Sequence, residues 1–327
     1  MSVSAAGRDL PGYDEALTGA VYLPLEQVGP VQVNGADRLD FLQRQTTNDM
    51  RLLNADRVVR TVMASPTARI LDVTTVSQAG DDLLLFTENG RAGALTTYLN
   101  NQIFFMDKVA VSDLSDAYLA FRLEGPGQAR VLHELGITQV PGLDTLIRFQ
   151  TTGVEGFAFG IKGIAGITSV VGVFANYGPQ FRLLLERAGA VEVSPSAWEV
   201  LRVEAGFPGP GTELVDTFTP LEVGLDEIIS DSKGCYTGQE VIARQLTYDK
   251  VTQKLVGILL SDPLPPGSDL VAEDGKRAGA VTSYAVSPRF GDIALAVIRR
   301  AYANPGRILH SKEGSVNARV VPLPFGS

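Results

Sequence analysis

Apolar residues recur along the chain in two periods, and the switches between them mark its elements. Short apolar or alternating runs bounded by turn residues predict strands at RVVRTVMA, RILDVTTVSQ and DDLLLFT, then at KVAVSDLS and AYLAFRLEG, and again through residues 147–175. Spacings of three and four predict helices between them. DRLDFLQRQ places Leu39, Phe41 and Leu42 on an apolar face behind Asp37 as N-cap, and GRAGALTTYLNNQ does so with Leu95, Tyr98 and Leu99. PGQARVLHEL opens on Pro126, and FRLLLERAGA and SPSAWEVLRVEAG follow. Residues 1–17 read as an irregular lead-in. Residues 206–240 are rich in Gly and Pro with little periodicity, and a long irregular segment inside a compact chain is usually functional or a linker. Beyond residue 250 no helix is predicted. KLVGILLSD, DLVAED, AGAVTSYAVS, GDIALAVIRRAY and ARVVPLPF read as strands of a small β-barrel. The fold class is α+β.

At 327 residues the chain is long enough for two or three domains. Lys and Arg total 28 against 37 Asp and Glu, so the net charge is 28 − 37 = −9. Backbone binding to nucleic acid needs clustered cations, so no direct nucleic-acid partner is expected. One cysteine forms no internal disulfide, and two distant histidines, His133 and His310, exclude a Cys/His zinc site. No metal is expected. No apolar run approaches a membrane span, and the first residues lack a basic stretch followed by an apolar one. The expectation is a cytoplasmic protein with no membrane partner. Neither histidine neighbours a Ser or Cys motif, and no phosphate-binding glycine loop of the P-loop or dinucleotide type is present.

The sharpest local signal is Lys233-Gly234-Cys235-Tyr236-Thr237-Gly238-Gln239-Glu240, continued by Val241 to Arg244. The only cysteine lies between glycines, which let the backbone bend or approach a ligand, and beside a lysine, which favours thiolate. On composition alone the favoured reading is a small buried side chain in a turn.

KGCYTGQEVIAR resembles the signature of the YgfZ family, folate-binding proteins related to the glycine cleavage T-protein (aminomethyltransferase). VNGADRLDFLQRQTTNDM and TFTPLEVGL are similar to other segments of that family, and the resemblance spans about residues 20–325. It implies a three-domain T-protein-like fold: a discontinuous folate-binding domain of residues 1–49 plus 145–245, an α+β domain of 50–144, and a C-terminal barrel of 246–327. It also implies tetrahydrofolate as ligand and a role in assembly or repair of iron–sulfur enzymes, including tRNA-modifying ones, with those client proteins as partners. One cysteine cannot hold a cluster alone, so Cys235 would act as a thiol, the catalytic candidate.

The resemblance places a pterin-pairing carboxylate at Glu204. A pterin presents an exocyclic amine and a ring N–H side by side, which one carboxylate accepts together. Trp198 on the same helix, with Arg202, and Tyr236 in the Cys motif complete the folate-binding set, although Trp198 equally suits a core position. Lys233, Gly234, Gly238, Gln239, Glu240 and Arg244 are the remaining motif residues, with Lys233 and Arg244 expected near the thiol. Two departures stand out. Where the T-protein has a catalytic Asp, matching through Asn89, this chain has Gly93, and Ala68 stands where the family commonly has Gly. An aminomethyltransferase and an inert folate-binding scaffold therefore remain alternatives, and whether the chain is an enzyme stays open.

Overall fold

Helix-forming and strand-forming segments alternate through the first 250 residues, and three sheets result. The computed structural model describes residues 9–25, 29–88, 90–151 and 153–327. The first sheet runs β11 (Val191–Glu192), β1 (Val21–Leu25), β7 (Tyr118–Glu124), β10 (Gly166–Phe174), β9 (Val154–Gly163), β8 (Leu146–Thr151). The second runs β3 (Val59–Ala64), β4 (Ile70–Ala79), β5 (Asp82–Thr87), β2 (Val31–Asn34), β6 (Ala110–Asp113). The third is a closed barrel of β12 (Gln253–Leu260), β15 (Gly291–Arg299), β14 (Arg277–Ser287), β13 (Asp269–Val271), β16 (Ile308–Ser311) and β17 (Asn317–Val321). Closure removes the free strand edges.

The helices are α1 (Tyr13–Thr18), α2 (Arg38–Gln45), α3 (Ala92–Asn100), α4 (Gln128–Glu134), α5 (Gly178–Arg187), α6 (Pro195–Ala205) and α7 (Gln239–Thr247). Among the described residues no helix is long and apolar enough to cross a membrane. The lead-in is not wholly irregular, since α1 lies in it, while residues 1–8 fall outside the described residues. Asp37 sits at the N-cap of α2 but makes no cap bond; its carboxylate accepts the Lys108 backbone N–H at 2.8 Å instead. The barrel has a sixth strand, β16, which its length of four residues concealed. Two strands cross the boundaries drawn from sequence: β2 pairs with β5 and β6, and β7 pairs with β1 and β10.

Helix α6 is central to the packing. Ser194 caps it by accepting the Ala197 N–H at 3.1 Å, Pro195 opens it, and Gly206 ends it at φ +69°. Its buried face of Ala197, Val200, Leu201 and Val203 packs in one core with Val62 and Ile70 of the second sheet and Leu255, Leu295 and Val297 of the barrel. Burying a Val or Leu side chain stabilises by about 1.5–3 kcal/mol. This one helix therefore joins all three units through apolar contact.

Candidate functional site

Three of the predicted folate residues lie on α6, and the structure gives each a partner within the protein. Glu204 is buried, and its carboxylate accepts Tyr13 Oη–H at 2.6 Å, the Ser287 hydroxyl, and Arg289 through Nε at 3.1 Å and through Nη2. Burial and the Glu204 bond push the Tyr13 hydroxyl up to about 12. Arg202 is buried too. It donates to Glu199 at 2.9 Å, Glu213 at 3.1 Å, the Phe207 carbonyl at 2.7 Å and the Ser283 hydroxyl at 2.7 Å. Trp198 is half-buried with the Arg122 guanidinium 5.3 Å from its ring centroid. A pterin at Glu204 would have to share or replace these partners. Glu204 and Arg202 fasten α6 to β14 and the turn after it.

The cysteine motif forms a loop that leads into α7, so Gln239 and Glu240 are helical rather than irregular, with Arg244 on the same helix. Cys235 is a free, exposed thiol, and a side chain at Gly234 would meet open space. Lys233 is buried. Its Nζ donates to the carbonyls of Thr46 at 2.8 Å and Asn48 at 2.6 Å, and lies 5.2 Å from the Tyr236 ring centroid. Burial pushes this ammonium down to about 8. Arg244 pairs with Glu240 one turn earlier. Both cations are thus committed elsewhere than expected: Lys233 ties the loop to residues 46–48, and Arg244 braces α7. Thr237 N–H adds a bond to the Arg44 carbonyl at 3.0 Å. Tyr236 is buried with Ala68 and Ile242.

The loop rests on the turn between β3 and β4. Gly238 has φ +84°, and a Cβ there would stand 2.7 Å from the Ser65 carbonyl oxygen. Ala68, in the same turn, has φ +59°, the left-handed conformation that costs a non-glycine residue roughly 1–2 kcal/mol. The turn also holds the Gly/Pro-rich segment. Arg69 Nη1 donates to the Thr217 carbonyl at 2.7 Å, and Ile70 N–H to the Phe218 carbonyl at 3.1 Å.

Beside that junction opens a cavity of about 180 Å³, lined by Asp72 of β4, Arg91, Leu95 and Tyr98 at α3, and Asp216. Asp72 is 2% exposed, and its Oδ1 has no hydrogen-bond partner. Burial pushes its carboxyl up to about 7, with the charge of Glu88 adding to the rise and Arg91 opposing it. Thr74 Oγ1 and Thr87 Oγ1 are likewise buried and unpartnered. Thr74 follows Asp72 by two on the strand, hence on the same face, and Thr87 is its cross-strand neighbour. Leaving a buried polar atom unpaired costs roughly 1–3 kcal/mol, so such a cluster points to water or a ligand.

A larger cavity, about 660 Å³, opens between the first sheet, residues 205–228 and the barrel. Its charges are largely paired: Lys162 with Glu227 at 2.6 Å, Arg300 with Asp249, and Arg60 with Glu88 at 3.2 Å. Arg60 nonetheless keeps a buried Nε without a partner, so both cavities hold an unmatched polar atom, and the larger one has more room.

Sequence reasoning missed Asp72 and Asp216. Asp72 carried a signal, an acid inside the apolar run of RILDVTTV; Asp216 lies in the irregular segment and carried none. Gly93 does not face the cavity. A Cβ there would lie 3.4 Å from Asp113 Oδ2, and the cavity-facing neighbour is Ala94. Asn89 lies outside the described residues. Among the described residues no group of three or more His, Cys, Asp or Glu could hold a metal ion.

The fold is thus two sheets and a closed six-stranded barrel that share a core around α6. Residues 17–153 match the GCVT N-terminal domain, and residues 253–326 the glycine cleavage T-protein C-terminal barrel domain. The chain belongs to the glycine cleavage T-protein family. It is 34% identical over 322 residues to a chloroplastic protein of Arabidopsis thaliana named as a candidate transferase, covering 95% of this chain and 73% of that one. It is 30% identical over 322 residues to an aminomethyltransferase of Moorella thermoacetica, covering 92% and 85%. The solved glycine cleavage system aminomethyltransferase T of Bartonella henselae superposes with a TM-score of 0.84 at 20% identity, over 96% of this chain and 88% of that one, which bears out the expected fold.

Proposed function

We propose that this chain is a cytoplasmic, reduced-folate-binding protein of the YgfZ type that supports assembly or repair of iron–sulfur enzymes, tRNA-modifying ones among them. The observation that supports the folate half is buried Asp72, whose Oδ1 has no partner, in the cavity it shares with Asp216, Arg91 and Tyr98. One edge of a pterin presents an amine, a ring N–H and a carbonyl in a row. The Asp216 carboxylate is suited to accept the first two as a bidentate pair. The aminobenzoyl-glutamate tail would leave through the open side, since the cavity is too small for a whole folate. Tetrahydrofolate, when bound, supplies the one-carbon chemistry; the chain's own residues bind and orient it. The support for the iron–sulfur half is the exposed Cys235 thiol, on a loop that rests on the turn leading into β4.

Titration calorimetry with 5-formyltetrahydrofolate tests the first half. Replacing Asp216 by Ala leaves two ligand donors unpaired, which weakens binding by about 1–3 kcal/mol, roughly ten- to a hundred-fold. Equal binding by both proteins contradicts the assignment. For the second half, cells lacking the protein are given wild type or Cys235→Ser. Under oxidative stress the variant should sustain less iron–sulfur enzyme activity, and equal rescue contradicts the thiol's role.

An aminomethyltransferase activity is the second reading. The relatives named as aminomethyltransferases favour it, as does a titratable acid in the cavity. Methylene transfer from an aminomethyl-lipoyl carrier to tetrahydrofolate by the purified protein would establish it.

A further inference from the structure

We propose that the free edge of β8, with the aromatic groove beside it, binds an extended segment of a partner protein by strand addition, and that one apolar side chain of that segment fills the groove. Neither the edge nor the groove belongs to the cavities described above.

β8 ends the first sheet and pairs with β9. Its other side is filled only at the start. There the Leu146 N–H donates to the Asp56 carbonyl at 2.8 Å, the Val58 N–H donates to the Asp144 carbonyl at 2.9 Å, and Arg57 bridges Thr145 in antiparallel sense. A turn closed by the Arg57 N–H on the Asn54 carbonyl ends this pairing before Arg148. The chain thus begins a seventh strand and abandons it. Leu146 turns its N–H away from β9, so by the alternation of an antiparallel strand Arg148 and Gln150 do the same. Both residues are exposed, and among the described residues no hydrogen bond reaches their N–H and C=O groups on that side. Edge strands are commonly guarded by Lys, Pro, a bulge or a cover. β8 reads LIRFQT and its ladder with β9 has no bulge. Its one charged side chain, Arg148, is turned onto the carbonyls of Ala55 at 2.9 Å and Gln78 at 2.7 Å.

The groove says what the added strand carries. The face of the first sheet that bears Leu146 and Phe159 packs against Leu84 and Phe86 of β5. Beside that contact the same face opens into a groove of about 480 Å³ that extends to Gln150 at the edge. Tyr118, Phe157 and Phe174 wall it. Tyr118 stacks on Phe174 with ring centroids 4.9 Å apart and lies 6.1 Å from Phe157. Phe157 lies across Gly172, where a Cβ would come within 2.1 Å of its ring. Side chains of an added strand alternate between the two faces, and those opposite Arg148 and Gln150 point to the groove face. An apolar side chain there meets the aromatic walls while its backbone satisfies the open edge. The partner segment is therefore extended, with apolar residues at alternate positions.

Panning a phage-displayed library of short random peptides on the whole protein tests this. The enriched peptides should carry aromatic or branched apolar residues at alternate positions. The best of them is made synthetically, labelled and titrated by fluorescence anisotropy. N-methylating the alternate amides that face Arg148 and Gln150 should weaken binding by about tenfold or more, whereas N-methylating the intervening amides, which face solvent, should leave it within about twofold. Gln150→Pro removes an outward N–H that an edge strand can spare, and it should weaken the unmethylated peptide to the same degree. Phe174→Ser, on the groove wall, should weaken it with the edge intact. No enriched peptide, enrichment without alternation, or binding indifferent to which set of amides is methylated overturns the proposal. So does a dimer in sedimentation velocity that Gln150→Pro dissolves, because the edge then serves a second copy of the chain. The N-methyl comparison uses wild-type protein and decides the matter even if a variant misfolds.

Discussion

Glu204 near the end of α6 and Arg289 in the turn between β14 and β15 form an ion pair that joins the first unit to the barrel, 85 residues apart in sequence. Tyr13 and Ser287 complete it from α1 and the end of β14. Arg289 is half-exposed, so solvent recovers part of its charge when the pair is lost, whereas two buried hydroxyls lose their acceptor. Glu204→Ala should cost about 2–3 kcal/mol of stability. It should leave 5-formyltetrahydrofolate affinity nearly unchanged at a temperature where the variant is folded. Denaturant titration and calorimetry on the same sample check both halves.

Asp72 makes stability depend on pH. Its folded carboxyl is raised to about 7 from an ordinary value of 3.8. The contribution is therefore fully present below pH 4 and lost as pH rises through 7. A tenfold change in proton affinity is worth about 1.4 kcal/mol, so the loss is on the order of 4 kcal/mol. Asp72→Asn has nothing to ionise. The variant should gain on wild type steadily from pH 4 to 7 and then hold a constant margin, as read from denaturant midpoints across that range.

Cys235 is exposed, so native protein should react with a maleimide as fast as a model thiol peptide, within about tenfold. Cys235→Ser should change stability by less than about 0.5 kcal/mol, as surface substitutions usually do. A thiol that labels only after unfolding would contradict the exposure.

Gly238 is a backbone requirement. Alanine there meets both φ +84° and the Ser65 carbonyl at 2.7 Å. Gly238→Ala should cost about 2 kcal/mol or more, while Gly234→Ala, with nothing within 4 Å, should be nearly neutral. Thermal melts of the two variants side by side make the comparison.

The fold was legible where local chemistry sets it. Ser194-Pro195 and Gly206 bracket α6 in the sequence, and five barrel strands announce themselves by apolar runs between turns. Helix α7 was not legible, because it follows directly on the glycine-rich loop and Ile242 is its only buried residue. Strand β16, four residues of ILHS, is too short to stand out. The site was harder to read. Glu204 looked like a free carboxylate because its partners Tyr13, Ser287 and Arg289 lie 191, 83 and 85 residues away. The thiol's exposure did follow from its flanking glycines. The cations near it did not behave as expected, because Lys233 found two carbonyls of a segment 185 or more residues earlier.

The central claim is that a reduced folate binds at the cavity between β4, α3 and Asp216. A crystal structure of the protein with 5-formyltetrahydrofolate tests it most directly. The account predicts the pterin ring in that cavity, with its amine and N–H on Asp216. A pterin found on Glu204, in the larger cavity beside Arg60, or nowhere in the structure would contradict it.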